Sequence, residues 1–379
     1  MRTRSTILGS IALLSLAVYI VACRVSFSPD GKRLLVPYVE SSPRGTAVAL
    51  VDRATGTSRC IFATARVKSE GAASDLTVLT AQWTPDGSRA VIFYPDTEGT
   101  DHIRVASVTI DGPGETRLFA CSPEDTKDSI AMLAVPPPIV GDHAFIGGER
   151  ILRLDLRTGE IRKAGPAGAE GVIVSGEGSR LVYWAQNVRG AYEWGTLDPA
   201  TLATTPRMKI AGDAAGKLGM FAAASPDGTR LAAVTEDADK VLVFKDGAVE
   251  RTFEDLAGEK TCHIGNVLWS HDGKALYAAV LRDEDRDIGS GSYAVLELPA
   301  GGGAPRELLV LKGDVRAKAD EAMKLVFQVG LSPDGKTLAV TGTLLEVEEK
   351  DRALFLIDLA SPGRDVRKVP IPGAAAPSS

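Results

Sequence analysis

The chain has 379 residues, of which 44% are hydrophobic and 24% are charged, and its formal net charge at pH 7 is −6. This is the composition of an ordinary globular protein, and the acidic balance argues against nucleic acid as a partner. Length alone would allow two or three domains, but an internal repeat, described below, predicts a single one.

The first 22 residues have the pattern of an export signal. Two arginines precede the apolar run Ile7–Ala22, whose 16 residues are too few for an ordinary membrane-spanning helix. The run ends in Ile20-Val-Ala-Cys23, which is similar to a bacterial lipobox. We therefore expect a lipoprotein signal peptide at 1–22, lipid attachment at Cys23, and export to the periplasm or the cell surface as a membrane-anchored protein. The alternatives are an uncleaved anchor and an ordinary signal peptide that happens to precede a cysteine.

A short phrase recurs along the rest of the chain. An apolar residue is followed by Ser/Thr-Pro-Asp-Gly and then by a new apolar run, which is typical of a tight antiparallel hairpin. The copies lie at Phe27–Lys32, Trp83–Ser88, Ala224–Thr229, Trp269–Lys274 and Leu331–Lys336, with a degenerate copy at Val174–Ser179. In the copy at Trp269–Lys274, His271 replaces the proline. One hairpin cannot bury both of its faces, but a closed ring of such units can.

The spacing of the copies is that of propeller blades. Asp30 and Asp86 are 56 residues apart, and Asp272 and Asp334 are 62 apart, which accommodates four short strands and their loops. Asp86 and Glu177 are 91 apart, which leaves room for one further, degenerate blade. The sequence therefore predicts an all-β fold, a seven-bladed β-propeller of four-stranded antiparallel blades at 25–64, 80–120, 138–164, 172–210, 220–253, 265–311 and 326–371.

This propeller accounts for residues 23–371 as a single domain. The first blade has its own innermost strand and the last blade its own outermost strand. We therefore expect the ring to close by packing of the first blade on the last, without an exchanged strand. The remaining residues, 372–379, are small and polar, and we expect them to form a disordered tail.

Two motifs relate the repeat to a known family. The phrase S-P-D-G-K-x-L at Ser332–Leu338 and the turn D-x-x-T-G at Asp52–Gly56 resemble the WD40-like repeats of TolB-type bacterial propellers. The Gly-His and Trp-Asp marks of true WD40 repeats are absent. The resemblance covers nearly all of the mature chain and implies a propeller that binds another protein in the cell envelope.

The connections between strands fall on two faces of the predicted ring. Turns between first and second strands and between third and fourth strands form one face, here called the turn face. The other loops form the loop face, where binding surfaces usually lie. Carboxylates dominate the loop face, notably Asp96, Glu98, Asp101, Glu346, Glu348 and Glu349. We expect a monomer that binds a basic protein partner there without catalysis; the alternative is that long polar loops simply collect charge.

One acidic loop has the spacing of metal ligands. Asp283, Asp285 and Asp287 alternate as at the start of a calcium-binding loop, but Ile288 and Ala294 occupy the positions that need glycine and glutamate. A solvated hairpin tip is therefore the favoured interpretation, calcium is the alternative, and no other cofactor is expected.

Support for an enzyme is weak. The G-x-S-x-G motif of propeller-linked serine hydrolases is absent, and the four histidines are scattered over different blades. The alternative to a binding protein is an enzyme of the lactonase or lyase type, with a metal or carboxylate site at the ring axis. The inner strands are too apolar to reveal such a site.

Two smaller features have both structural and functional interpretations. Phe27, Trp83 and Trp269 share one register on the inner strands, and packing between blades explains them better than a stacking platform near the axis. Export would permit disulfides. Cys60 and Cys121, on neighbouring blades, form the one pairing considered, but free thiols are the favoured interpretation.

Overall fold

The computed structural model describes residues 25–41, 44–64, 80–95, 103–111, 115–121, 136–165, 169–177, 180–187, 191–210, 218–256, 261–285, 290–314, 326–343 and 353–371. These residues form strands and turns, and no α-helix occurs among them. It follows that no helix of these ranges is long and apolar enough to cross a membrane.

Four consecutive strands form each blade. Blades 1 and 2 comprise β1 (Ser26–Phe27), β2 (Arg33–Ser41), β3 (Arg44–Asp52), β4 (Ser58–Ala63), β5 (Thr80–Trp83), β6 (Arg89–Pro95), β7 (Ile103–Thr109) and β8 (Thr116–Ala120). Blades 3 and 4 comprise β9 (Ile139–Val140), β10 (His143–Ile146), β11 (Ile151–Asp155), β12 (Ile161–Ala164), β13 (Ala169–Glu177), β14 (Arg180–Asn187), β15 (Tyr192–Leu197) and β16 (Thr204–Ile210).

Blades 5 to 7 complete the ring. They comprise β17 (Leu218–Ala224), β18 (Arg230–Thr235), β19 (Val241–Lys245), β20 (Ala248–Phe253), β21 (Thr261–Trp269), β22 (Ala275–Asp285), β23 (Ser290–Pro299), β24 (Arg306–Asp314), β25 (Val326–Leu331), β26 (Thr337–Thr343), β27 (Ala353–Asp358) and β28 (Val366–Pro370). The degenerate blade predicted from the long interval is blade 3, whose first strand has only two residues.

Each blade is one antiparallel sheet whose strands lie side by side in chain order. The first strands of neighbouring blades contact one another, as β17 contacts β21 and β21 contacts β25, so the first strand is the innermost. The predicted seven-bladed propeller is therefore confirmed, with blade bounds close to those expected from the repeat.

The core lies between the blades. Because successive side chains of a strand point to opposite faces, each sheet packs on both of its neighbours. In β19, Val241 and Val243 face blade 6, whereas Leu242 and Phe244 face blade 4. One buried apolar cluster fills the space between each pair of neighbouring blades, from blades 1 and 2 around to blades 7 and 1.

Blade 7 packs on blade 1 as expected, and none of the described strands is exchanged between these two blades. The inner strands approach closely there: a Cβ added to Gly330 would lie only 2.3 Å from the backbone oxygen of Val25. On the turn face, Arg53 of blade 1 donates to the Thr337 hydroxyl and lies 3.8 Å from Asp334, both in blade 7.

The aromatic residues and the cysteines follow the favoured interpretations. Phe27, Trp83 and Trp269 are buried within the clusters between blades. Cys60 and Cys121 are not joined by a disulfide. They lie at different interfaces, because Cys60 packs against the cluster of blades 7 and 1 and Cys121 belongs to that of blades 2 and 3.

Candidate functional site

Five turns of the turn face share one hydrogen-bonded structure. In blade 7, the Ser332 hydroxyl donates to Asp334 Oδ1 at 2.5 Å, and the Lys336 N–H donates to the same oxygen at 3.0 Å. The Gly335 N–H donates to Ser332 O at 2.8 Å, with Gly335 at a φ of 68° that glycine adopts without steric cost. The same arrangement recurs at Asp30, Asp86, Asp227 and Asp272.

These hydrogen bonds fix the charge of the turn aspartates. The Ser225 hydroxyl, which donates to Asp227 at 2.5 Å, lowers the pKa of Asp227 to about 2. A hydroxyl in the same position lowers the pKa of Asp30, Asp86, Asp272 and Asp334. In the second turn of a blade, the backbone N–H of a following threonine lowers the pKa of Asp52, Asp155 and Asp198. These carboxylates are anions engaged by their own turns, which suits them poorly to bind a metal or transfer a proton.

The two turns of a blade lie next to each other, which confirms the division into faces. The Arg53 N–H of the second turn donates to Lys32 O of the first turn in blade 1, at 2.8 Å. In blade 7 the Leu359 N–H donates to Lys336 O, also at 2.8 Å. Both turns therefore belong to one face, and the remaining connections leave the opposite face.

An arginine at the end of one turn links blade 1 to blade 2. Arg33 lies 3.0 Å from Asp111 and donates to Gly87 O at 3.4 Å. Its guanidinium also stacks over the Trp83 ring, 5.3 Å from the centroid. The Trp83 indole in turn donates back to Ser26 O of blade 1, at 2.9 Å. Arginine and tryptophan thus fix the position of one blade on the next.

Blades 5 and 6 repeat this contact. Arg230 donates to Gly273 O at 2.7 Å and stacks 4.7 Å from the centroid of the Trp269 ring. The Trp269 indole donates to Ala223 O of blade 5 at 2.8 Å. The sequence analysis did not identify these contacts. The contact could have been predicted from two features of the sequence. One is an arginine two residues after the turn glycine of a blade, and the other is a tryptophan just before the turn of the next blade.

The six carboxylates predicted to bind a partner lie outside the described residues. Asp96, Glu98 and Asp101 lie between β6 and β7, and Glu346, Glu348 and Glu349 lie between β26 and β27. In the sequence, each set falls between the second and third strands of its blade. Their role in binding a partner stays a prediction.

Blade 5 shows part of the loop face directly. The Thr235 hydroxyl donates to Asp239 at 2.8 Å, and Lys240 pairs with Glu254 at 3.4 Å. Asp237, in the same loop, and Asp255, beside Glu254, are exposed. This part of the face presents carboxylates to solvent, while its lysine is already paired.

The candidate calcium ligands lie at a hairpin. Asp283 and Asp285 are backbone partners of Gly291 and Ser290 at the end of β22, and Asp287 lies outside the described residues. Calcium binding there stays a prediction. Within the described ranges, no three His, Cys, Asp or Glu side chains come together in an arrangement that could hold a metal ion.

The outermost strands carry a set of exposed cations that sequence reasoning did not identify. They are Arg59, Arg117, Arg162, Lys163, Arg207, Lys209, Arg306, Arg367 and Lys368, on blades 1, 2, 3, 4, 6 and 7. An outer strand has one unpaired edge, and charged side chains there oppose edge-to-edge aggregation. The molecule therefore places cations on its perimeter although its net charge is negative.

No protein-family model and no curated protein matches the sequence. Among solved structures, Kluyveromyces lactis Hsv2 is similar at 12% identity, covering 92% of this chain and 97% of that chain, with a TM-score of 0.51. A chain of the mitotic checkpoint complex is similar at 12% identity, covering 86% of this chain and 87% of that chain, with a TM-score of 0.50. TolB from Acinetobacter baumannii is similar at 14% identity, covering 92% of this chain and 63% of that chain, with a TM-score of 0.42.

The fold defines the chain as a seven-bladed β-propeller protein. TolB and a Cps50 (Swd1) β-propeller domain are among the similar structures. Identities this low show the fold alone, and one propeller architecture carries many unrelated activities. The function must therefore be argued from the surfaces of this chain.

Proposed function

We propose that this propeller is an exported cell-envelope protein that binds another protein through its loop face and catalyses no reaction. The proposal is supported by a difference in how the two faces use their carboxylates. Turn-face aspartates such as Asp334 are engaged by their own turns, whereas blade 5 exposes Asp237 and Asp255 on the loop face. A rigid ring that carries variable loops is a common arrangement for binding. A structurally similar chain also belongs to a protein assembly, the mitotic checkpoint complex.

The partner proposed is basic. The sequence places carboxylates in the loops of several blades, and their combined field on one face would attract a cationic surface and speed its approach. Exposed cations on the outer strands, such as Arg207 and Lys368, would repel the same partner from the perimeter. The attraction should weaken as ionic strength rises, because the Debye length is about 10 Å at 0.1 M salt.

The proposed anchor is a lipid on Cys23. Only Arg24 separates this cysteine from Val25, which is buried against blade 7. Since β1 runs towards the turn face, its start lies at the loop face, near the ring axis. A lipid there would hold the loop face close to the bilayer, and the partner would have to enter along the membrane plane.

Fatty-acid labelling tests the anchor. The wild-type protein should incorporate a labelled fatty acid in cells, and Cys23→Ser should abolish the incorporation and release the protein from the membrane fraction. Cys60→Ser is the matched control, since it removes a thiol of blade 1 that lies outside the lipobox motif. A wild-type protein that takes up no label would rule out the lipid.

Replacement of loop carboxylates tests the binding face. The triple change of Glu346, Glu348 and Glu349 to Gln should reduce recovery of the partner from an envelope extract, and added salt should do the same. The control is the triple change of Glu115, Glu160 and Glu250 to Gln, which removes the same charge from exposed positions away from that loop. Equal binding by both variants at every salt concentration would place the site elsewhere.

A further inference from the structure

Seven Asp-Gly pairs occur in the sequence, and six of them lie within the described residues. Such pairs can isomerise: the backbone nitrogen of glycine attacks the side-chain carboxyl carbon of aspartate and forms a five-membered succinimide ring. The reaction needs a carboxyl group and a glycine N–H that are both free to approach each other. Hydrogen bonds to either group therefore protect the pair.

Five of the six pairs are protected on both sides. They belong to the turns at Asp30, Asp86, Asp227, Asp272 and Asp334. In each turn the carboxylate accepts a hydroxyl, and the glycine N–H donates to the first backbone oxygen of the turn at 2.8 to 2.9 Å. The lowered pKa of each carboxyl also reduces the fraction that is protonated. An oxygen leaves less easily from the ionised carboxylate than from the protonated carboxyl.

The sixth pair, Asp246-Gly247, has neither protection. It forms the two-residue turn between β19 and β20, with φ of 50° at Asp246 and 85° at Gly247, as in the tightest hairpins. Asp246 is exposed. Among the described residues, no donor contacts its carboxylate and no acceptor takes the Gly247 N–H.

We propose that Asp246 is a site of spontaneous isoaspartate formation in the folded protein. The Gly247 nitrogen bonds to Cγ of the protonated Asp246 carboxyl, the bond from Cγ to the hydroxyl oxygen breaks, and the hydroxyl leaves with the nitrogen's proton as water. Water then opens the succinimide at either carbonyl. Opening at the main-chain carbonyl leaves the peptide linked through the side chain, with one additional carbon in the backbone and no change in mass.

The position of the turn gives this modification a structural consequence. A Cβ added to Gly247 would lie 2.7 Å from the backbone oxygen of Lys209, in the outermost strand of blade 4. The turn therefore has little room on that side for a longer backbone. Isoaspartate at Asp246 would have to shift the turn away from β16 and so loosen the outer contact between blades 4 and 5.

Peptide mapping of the aged protein tests the proposal. The full chain is incubated at neutral pH and physiological temperature and then digested with chymotrypsin, which should release Lys245–Phe253. Electron-transfer fragmentation distinguishes isoaspartate from aspartate in this peptide. We expect isoaspartate to accumulate at Asp246 and to form at least about tenfold more slowly in the five protected turns, whose hydrogen bonds must first break.

Two variants complete the test. Asp246→Asn should form the same ring faster, with loss of ammonia in place of water, and Asp246→Glu should prevent it. Amide hydrogen exchange in β16 should quicken in aged wild type but not in aged Asp246→Glu. The proposal fails if isoaspartate appears equally in all six turns, or if none forms at Asp246, whether or not the asparagine variant reacts.

Discussion

The ring joins its blades on the turn face in two ways. Along blades 5, 6, 7, 1 and 2, here called the regular arc, the second residue of each turn packs against the glycine of the next turn. A Cβ added to that glycine would lie 3.8 Å from the neighbouring side chain at Pro226–Gly273, 3.2 Å at His271–Gly335, 3.6 Å at Pro333–Gly31 and 3.4 Å at Pro29–Gly87. In blade 3, a Cβ on Gly141 would meet nothing within 4 Å, so the row of touching turns ends there.

Blades 3 and 4 form the irregular arc and are joined differently. Arg153 of blade 3 is buried and donates to the backbone oxygens of Pro199 and Ala200 in blade 4. In blade 4, the Trp184 and Tyr192 rings stack with centroids 5.7 Å apart. One buried guanidinium thus joins blade 3 to blade 4, and the stacked rings of blade 4 belong to the cluster between blades 4 and 5.

The tryptophans make the difference between the arcs clear. In the regular arc the Trp269 indole donates to a backbone oxygen of the neighbouring blade. In the irregular arc the Trp184 and Trp194 indoles are buried without an acceptor among the described residues. The same fold is therefore stabilised by repeated polar contacts in one arc and by buried aromatic rings in the other. The repeat can be recognised in the sequence only where the polar contacts occur.

Removal of a tryptophan from the regular arc should have the largest effect. Trp269 is 1% exposed and lies under the Arg230 guanidinium, so Trp269→Ala should lower the free energy of unfolding by about 3–5 kcal/mol. Denaturant unfolding measures the change. Leu118→Ala, at a residue that is 52% exposed, should stay within about 0.5 kcal/mol of wild type. Similar losses in both variants would contradict this account of the interface.

Ring closure should be the next most sensitive feature. Gly330→Ala places a Cβ against the backbone oxygen of Val25, which cannot move as a side-chain end could, and we expect a loss of about 1–3 kcal/mol. The control is Gly301→Ala, where a Cβ would meet nothing within 4 Å. A tolerated alanine at residue 330 would mean that blades 1 and 7 are less tightly joined than the structure shows.

Most of the fold could be predicted from the sequence because its turn chemistry is local. Ser332, Asp334 and Gly335 form their turn with hydrogen bonds to residues at most five positions away, so the phrase marks each hairpin wherever it occurs. Blade 3 lacks the phrase, and it was predicted only from the long interval between Asp86 and Glu177. It does carry the second turn, D-x-x-T-G, at Asp155–Gly159. That turn is again local, since Asp155 accepts the Thr158 N–H at 2.8 Å.

The contacts between blades could not be predicted in the same way. Arg33 and Trp83 belong to different blades, and their stacking depends on how far one sheet is rotated against the next. Exposed cations such as Arg207 and Lys368 could have been found, because the fourth strand of every blade was already expected to be outermost. The loop-face carboxylates were named from sequence, but their arrangement depends on loops without a repeated turn motif.

The indole hydrogen bond should account for a smaller difference between the arcs. Trp269→Phe loses ring area and the bond to Ala223 O, whereas Trp194→Phe loses ring area and removes a buried N–H without an acceptor. We expect Trp269→Phe to be the more destabilising of the two by about 1 kcal/mol. Unfolding of both variants under one condition is the measurement, and equal losses would show that the bond to blade 5 adds nothing.

The smallest effect expected is a pH-dependent contribution of a single turn hydroxyl. The Ser225 hydroxyl lowers the pKa of Asp227 from 3.8 in the unfolded chain to about 2 in the folded protein. The charged carboxylate therefore stabilises the folded protein at pH values above the unfolded pKa. This stabilisation is lost as the pH falls through the folded pKa. Ser225→Ala removes the main cause of the shift. The free energies of unfolding of wild type and variant should therefore differ near neutral pH and converge between about pH 4 and about pH 2.

Ser26→Ala is the control, since the Ser26 hydroxyl faces Gln82 and no carboxylate. Its difference from wild type in free energy of unfolding should not change with pH. A difference for Ser225→Ala that stays constant down to the acid limit would show that the Ser225–Asp227 bond does not couple protonation to folding.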